Sequence, residues 1–360
     1  MVRRREQLAP AATLFAVSSV LHAARYGTGA FGGQRFLNPI PTSVQLKGAG
    51  FARILFLFLF ENRSLREPRR PLGPFRTNPA AFVEPPESGL RVTWLGHSSV
   101  LLEIDGLRLL FDPVWSERAS FSKWLGPKRF MPPPLALEDL PALDAIILSH
   151  DHYDHLDAET WRVLARLAKT RQTPVLTSLG VGKYLLQCGV ERSRITEMDW
   201  TEEAMLSNGC KLTCLPSRHF SGRALWNRFG TLWSAFAIRG PRHNVFFGAD
   251  SGPFDEGFRE IGERFGPFDL TLLEIGAYGA QWPEIHMGPD AATRAHLLLR
   301  GRIMLPIHWG TFNLALHPWK EPVERVLTFA AERGIDLLLP RPGEPSVMVP
   351  QISYWWDVKE

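Results

Sequence analysis

A layered α/β body behind a basic, partly apolar arm is the fold class that this sequence predicts, and three observations predict it. From Leu90 onward, short apolar runs that end in loops alternate with helix-like stretches, the pattern of sheets covered by helices. The chain has 360 residues, of which 45% are hydrophobic and 22% charged; that suffices for a full core and is ordinary for a folded protein. No internal repeat of fixed period is visible.

The arm, residues 1–89, comes first. Residues 1–76 carry twelve Lys+Arg and three Glu, a net of +9, whereas the remainder carries 29 basic and 34 acidic side chains, a net of −5. The basic balance therefore belongs to the arm, and a mildly acidic body is not built to grip nucleic acid by charge. Residues 8–24, LAPAATLFAVSSVLHAA after three arginines, resemble a signal or anchor sequence. They lack a clean A-x-A cleavage site, and Pro, Ser and His weaken them as a span. FARILFLFLF (51–60) is too short to cross a bilayer and is followed by five arginines. It reads either as a segment packed on the body or as an anchor lying in the membrane interface. Residues 68–89, rich in Pro and Gly, read as a linker or wrapped arm.

The body, residues 90–360, opens with LRVTWLG, SVLLEID and LRLLFD, three strand-like runs with Asp105-Gly106 as a hairpin signal between the last two. AIIL, PVLTS, KLTCLP, NVFFGAD, LTLLEIG and RIMLPIH follow as further strands. AETWRVLARLAKT, AATRAHLLLR and PVERVLTFAAERG carry helix patterns. Cys188, Cys210 and Cys214 form no C-x-x-C pair, so a reducing compartment is the simpler reading. Cys210 and Cys214, four apart in a strand, share a face and read as core.

The chemistry concentrates after AIIL. In AIILSHDHYDHLD, six of thirteen residues are His or Asp, and His150, His152, Asp154 and His155 form H-x-H-x-D-H. Imidazole and carboxylate are ligands for zinc or another borderline divalent ion. A plain turn uses Asn, Gly and Ser, and three histidines in six positions serve no turn geometry. Three more candidates share the context of an apolar strand and then a short loop: His219 after KLTCLP, Asp250 after NVFFGA and His308 after RIMLPI. Five His and two Asp divide into a three-His site, a site with Asp and two His, and one carboxylate able to bridge.

SHDHYDHLD, LPSRHFSGR, FFGADSGP, IHMGPDAA and LPIHWGTFNLALH together resemble the metallo-β-lactamase-fold hydrolases. Within them the chain is similar to the branch of N-acylphosphatidylethanolamine-hydrolysing phospholipase D enzymes and their bacterial relatives. The resemblance covers roughly residues 90–345 and implies an αββα sandwich with two zinc ions at one edge of its sheets. It implies that His150, His152 and His219 hold one ion, that Asp154, His155 and His308 hold the other, and that Asp250 bridges. Asp154 and His286 are its candidates for a direct part in catalysis, His286 as a phosphate contact or proton donor to the leaving oxygen. The other reading of His286 is a residue beside a helix start. Tyr153 either faces the pocket or packs. Asp112 reads as a support of the ligands and His97 as structural. Trp115, Trp124, Trp226, Trp282, Trp309 and Trp319 are pocket, core or rim residues.

The expectation is a dinuclear zinc hydrolase with a metal-bridging hydroxide, the pKa of water being lowered from 15.7 to about 7. Its expected substrate is a phosphodiester, of the N-acylphosphatidylethanolamine type. A lactone or carboxylic ester is the first alternative and a nuclease the weaker one. A non-catalytic, membrane-associated binding protein with structural metal is the alternative of another class, but such sites are closed and often thiolate-rich. A flavodiiron oxygen reductase is disfavoured, because His152 stands where that group has a carboxylate. The chain is expected to be cytoplasmic, peripheral on an anionic membrane through its arm, with export or anchoring by residues 8–24 as the alternative.

Overall fold

Strand polarity is what gathers the site. The computed structural model describes residues 25–28, 34–44, 56, 61 and 64–358. Strands β1 (Arg25–Thr28) and β2 (Gln34–Phe36) make a small antiparallel pair. The body begins with β3 (Leu90–Trp94), β4 (Val100–Ile104), β5 (Leu107–Phe111), β6 (Ala145–Leu148), β7 (Val175–Ser178) and β8 (Ile195–Met198), adjacent in chain order across one sheet. A second sheet takes β9 (Glu203–Met205), β10 (Lys211–Leu215), β11 (Ala235–Arg239), β12 (Asn244–Phe247), β13 (Phe268–Glu274), β14 (Gly301–Ile307) and β15 (Asp336–Leu339). Of the last two strands, β16 (Pro345–Val347) returns to the first sheet beside β3, and β17 (Gln351–Ile352) joins the second beside β15.

The hairpin signal forms a turn between β4 and β5: Ile104 pairs with Leu107, and Asp105 and Gly106 take φ of 48° and 87°, as a two-residue primed turn requires. Alternation sorts the side chains. Val100, Leu102, Leu109, Phe111, Ala145 and Ile147 point to the core between the sheets, whereas Leu101, Leu110, Ile146 and Leu148 point outward. Phe111 meets Phe247 of the second sheet with ring centroids 4.6 Å apart. The outer face of the first sheet is covered by α1 (Ala158–Leu164) and α2 (Gly182–Gln187), through Trp161, Leu164 and Leu185. The second sheet is covered by α3 (Asp255–Arg264), α4 (Gly288–Leu298) and α5 (Glu321–Arg333), through Phe258, Ile261, Ala292, Ala295, Val323 and Val326. These are the four layers of an αββα sandwich. Cys210 and Cys214 lie in the core between the sheets, as expected.

Two departures from the sequence pattern have physical causes. The helix expected over AETWRVLARLAKT ends at Leu164, where the Thr170 hydroxyl takes the Leu164 carbonyl at 2.7 Å and the chain continues in turns. Helix α3, which carries two glycines beside Phe258 and Ile261 on its buried face, is set close to α4. A Cβ on Gly262 would sit 2.1 Å from the Leu298 carbonyl oxygen, so the packing demands a residue of poor helix propensity.

Residues 64–89 run along the body. Leu72 N donates to Phe130 O and Thr77 N to Pro134 O, both at 2.8 Å, and Phe82 is buried against the outer face of the first sheet. Residues 8–24, and all of 51–60 except Phe56, lie outside the described residues. Among the described residues no helix is long and apolar enough to cross a membrane.

β10 and β12 both run antiparallel to β11, and β12, β13 and β14 are mutually parallel. Their C-terminal ends therefore share one edge. In the first sheet β3, β5 and β6 likewise share a direction. The residues that follow these strands meet where the two edges face each other.

Candidate metal centre

The loop after β6 folds back at once. His155 N and Leu156 N both donate to His152 O, at 3.1 and 2.7 Å. Asp157 then caps α1, accepting from Glu159 N at 3.2 Å. This tight return turns His150, His152, Asp154 and His155 toward the same cleft, where the second sheet delivers His219, Asp250 and His308.

The seven residues fall into two groups. In one, His150 Nε2 lies 2.9 Å from His152 Nδ1, which lies 3.2 Å from His219 Nε2. Asp250 Oδ2 is 4.0 Å from His150 Nε2 and 3.6 Å from His219 Nε2. In the other, Asp154 Oδ2 is 3.7 Å from His155 Nε2 and 3.4 Å from His308 Nε2. Here Asp250 turns its Oδ1, 3.1 and 3.2 Å from those same nitrogens. One carboxylate thus offers one oxygen to each group. All seven candidates from the sequence come together.

Neighbours fix the rings. Asp112 accepts from His155 Nδ1 at 2.7 Å and from the Ser149 hydroxyl at 2.6 Å, while that hydroxyl lies 2.9 Å from His150 Nδ1. His219 Nδ1 bonds to Ile285 O at 2.8 Å. Each of these bonds leaves Nε2 for the cleft. Asp112 thus stands behind the His155 and His150 rings rather than among the converging donors. The buried His97 Nε2 sits 3.0 Å from Asp154 Oδ2, within the second group. His286 Nδ1 is bonded at 2.6 Å to Glu274, a fully buried carboxylate that the sequence reading passed over.

The same side-chain type titrates in opposite directions here. Burial, and then the neighbouring imidazoles, hold His150 well below the ordinary value; burial does the same for His219. His155 is opposed by burial but carried well above the ordinary value by Asp250, Asp154 and Asp112. His308 is raised to about 10 in the same way, chiefly by Asp250 and Asp154. Burial would raise Asp250 and Asp154, yet the surrounding imidazoles, His155 foremost, hold both well below the usual carboxylate range. Burial pushes His97 down to about 3 and Glu274 up.

A divalent cation fits this donor set. His155 Nε2, His308 Nε2 and Asp250 Oδ1 are buried and make no hydrogen bond, although they converge to about 3 Å. Buried polar atoms without partners are costly. Imidazole and carboxylate donors facing one another in this way are what a borderline cation satisfies.

The open side of the centre is at Asp154 and His286, whose side chains are 15% and 13% exposed. Beside it stands an apolar wall of Trp282, Ile285, Ala315 and Leu316, with Val44 and Phe220 packed on it. The Phe220 ring lies 4.5 Å from that of His152. Residues 38–44 close over this rim: Asn38 Nδ2 donates to His219 O at 2.7 Å and Ser43 N to Glu284 at 2.8 Å. Tyr153 faces the other way. It donates to Arg223 O at 2.8 Å, carries the Arg223 guanidinium over its ring, and lines a separate cavity of about 610 Å³. Trp309 and Trp319 are core residues, and Trp124 and Trp226 are exposed.

Two sheets flanked by helices, with His and Asp clustered where strand ends meet, define a class: metal-dependent hydrolases of the metallo-β-lactamase fold. The family model of the beta-lactamase superfamily domain matches residues 107–309, and the chain belongs to that superfamily. It is 46% identical over 293 residues to an uncharacterized protein of Mycobacterium tuberculosis, covering 81% of this chain and 77% of that one. It is 42% identical over 236 residues to N-acyl-phosphatidylethanolamine-hydrolyzing phospholipase D 1 of Caenorhabditis elegans, covering 63% of this chain and 66% of that one. Among solved structures, the isothiocyanate hydrolase from Delia radicum gut bacteria superposes with a TM-score of 0.58 at 21% identity, over 71% of this chain and 98% of that one.

Proposed function

We propose that this enzyme is a dinuclear zinc hydrolase that cleaves a phosphodiester of a phospholipid, of the N-acylphosphatidylethanolamine type. The observation that carries the reading is Asp250, which turns one carboxylate oxygen to each of two ligand groups. His150, His152 and His219 would hold one ion, and Asp154, His155 and His308 the other. Bound there, the pair supplies Lewis-acid polarisation of the phosphoryl oxygen and an activated water at neutral pH.

The chain's own residues do the rest. Asp112, Ser149 and the Ile285 carbonyl hold the ligand imidazoles in the tautomer that leaves Nε2 free. His286 stands at the open side, where a leaving alcohol departs. As water adds to phosphorus and the bond to that alcohol breaks, His286 gives the alcohol oxygen a proton, and the proton lost by the water restores the balance. Phe121, Trp124 and Leu125 are exposed around Lys123. Phe121 lies 6.2 Å from Tyr153 of the histidine loop. Apolar and aromatic side chains beside a cation suit a lipid–water interface, and the N-terminal arm, net +9 over residues 1–76, would add attraction to an anionic leaflet.

The test is hydrolysis of N-acylphosphatidylethanolamine vesicles, a water-soluble phosphodiester and a lactone panel by zinc-loaded and chelated protein, with elemental analysis. Phosphodiester turnover with about two zinc ions per chain is expected. Active protein without metal, or lactone turnover alone, would overturn the reading. Salt-sensitive flotation with anionic vesicles, lost in a chain beginning near Leu90, tests the arm.

A further inference from the structure

We propose that Glu274 is a positioning residue for catalysis: it holds the His286 imidazole by Nδ1 so that Nε2 is the nitrogen presented to the leaving group. The inference rests on the reading of His286 as proton donor.

Glu274 ends β13, in LTLLE, and its side chain is fully buried. A carboxylate at such a place is costly unless its oxygens are engaged, and here both are. Oε1 accepts from Ser251 N at 3.0 Å and from Met287 N at 3.1 Å, while Oε2 accepts from His286 Nδ1 at 2.6 Å. Ser251 directly follows the bridging Asp250, and His286 and Met287 directly precede α4. One side chain therefore ties the strand that delivers the bridge to the loop that delivers the donor. Its Oε2 also lies 4.0 Å from His308 Nδ1. Among the described residues the ring's other neighbours stand farther off: Asp250 Oδ2 is 4.0 Å from the same Nδ1, and the imidazoles of His219 and His308 lie with ring centroids 5.1 and 5.3 Å away.

The acceptor count makes this testable. Three N–H groups point at Glu274, and a carboxylate accepts all three. A glutamine has one oxygen. Turned so that its oxygen serves Ser251 N and Met287 N, it presents an amide N–H to His286 Nδ1, which must then give up its proton. The donor form of His286 carries a proton on both nitrogens, and the carboxylate balances its charge; Glu274→Gln should instead leave a neutral ring with its one proton on Nε2, a far weaker acid, while keeping the backbone bonds in place.

The experiment compares wild type, Glu274→Gln, His286→Ala and the double variant, all zinc-loaded, on two soluble phosphodiesters that differ in leaving group, one alkyl and one nitrophenyl. Metal content is measured for each, and the protonation of the two His286 ring nitrogens is read by nitrogen-15 NMR of the metal-free protein. For Glu274→Gln we expect kcat on the alkyl ester to fall about 10–100-fold, with the nitrophenyl ester, KM and metal content near wild type. The double variant should be no slower than His286→Ala alone, since both remove one function, and in Glu274→Gln the His286 Nδ1 should carry no proton. Equal loss on both esters, loss of metal, multiplied effects in the double variant, or a proton kept on Nδ1 would each overturn the proposal. If His286→Ala spares both esters, the donor reading fails first, and the NMR measurement still decides whether Glu274 sets that ring. Should Glu274→Gln not fold, Glu274→Asp keeps the charge but draws it back from Nδ1, and the same leaving-group-selective loss is expected.

Discussion

The two residue groups of the candidate metal centre are built from the same side chains but held in different ways. In the half with His150, His152 and His219, the ring supports are neutral: the Ser149 hydroxyl and the Ile285 carbonyl. The half with Asp154, His155 and His308 is held by charge. Asp112 grips His155, His97 touches Asp154, and Glu274 lies beside His308. The consequence is visible in the imidazoles, lowered at His150 and His219 and raised at His155 and His308. What an imidazole does in this site is set by its neighbours rather than by its motif position. The carboxylate-supported half should therefore depend more on its surroundings, and the all-imidazole half more on its ligands.

The largest effect should come from Asp250→Ala, which removes an oxygen from both halves at once. Metal content near zero and background activity are expected, with the circular dichroism of the folded protein retained. Retention of one full equivalent of metal would show that the halves are independent and that the carboxylate does not bridge.

Asp112→Asn comes next. It removes the charge that grips His155 directly, reaches His150 only through the Ser149 hydroxyl, and leaves His219 and its carbonyl support alone. Affinity for one ion should fall about 10–100-fold, and chelator titration should show two separated steps. A parallel loss of both ions would break the contrast between the halves.

A third effect is a dependence on pH that metal should cancel. In metal-free protein, His155 and His308 are raised above their unfolded value of 6.5. Their stabilisation is complete below that value and is lost as pH rises, through about 10 for His308. Asp154 and Asp250 are depressed from 3.8, so theirs is complete above that value and is lost as pH falls. His150 and His219, lowered from 6.5, cost stability below that value, so the metal-free Tm should be highest near it and decline toward alkaline pH. Loaded protein should keep its Tm there, because ligation uses neutral imidazole. Melting curves with and without chelator at pH 6 and pH 9 decide it; equal slopes would sink the assignment.

The smallest effect should come from Tyr153→Phe. Its hydroxyl bonds Arg223 O on the far side of the histidine loop, so a loss of about 0.5–1.5 kcal/mol of stability is expected, with metal content unchanged. A large drop in metal affinity would mean that the outer face of the loop also tunes the ligands.

Much of this centre can be read in the linear chain. His150, His152, Asp154 and His155 announce themselves because four donors in six positions have no use as a turn. His219, Asp250 and His308 are legible because each ends an apolar run. The runs themselves show nine of the body's strands, since half-buried strands alternate and fully buried ones are continuous in apolar residues. Strands such as β9 (Glu203–Met205), a mixed-polarity edge strand of three residues, carry no such periodicity and stay hidden.

His97 and Glu274 could not be found that way. A histidine in WLGHSS and a glutamate in LTLLEIG look like residues that any turn or strand end contains. Their significance arises only when β3 and β13 end at the same edge as β6, β12 and β14. The sequence by itself determined which donors exist, their local clustering and the order of apolar runs, because those are properties of neighbours along the chain. The tertiary structure alone decided which oxygen of Asp250 faces which histidines, which rings are raised or lowered, and what Glu274 holds. Those depend on distances of a few ångströms between residues far apart in sequence, where burial strengthens every charge and hydrogen bond that strand polarity brings together.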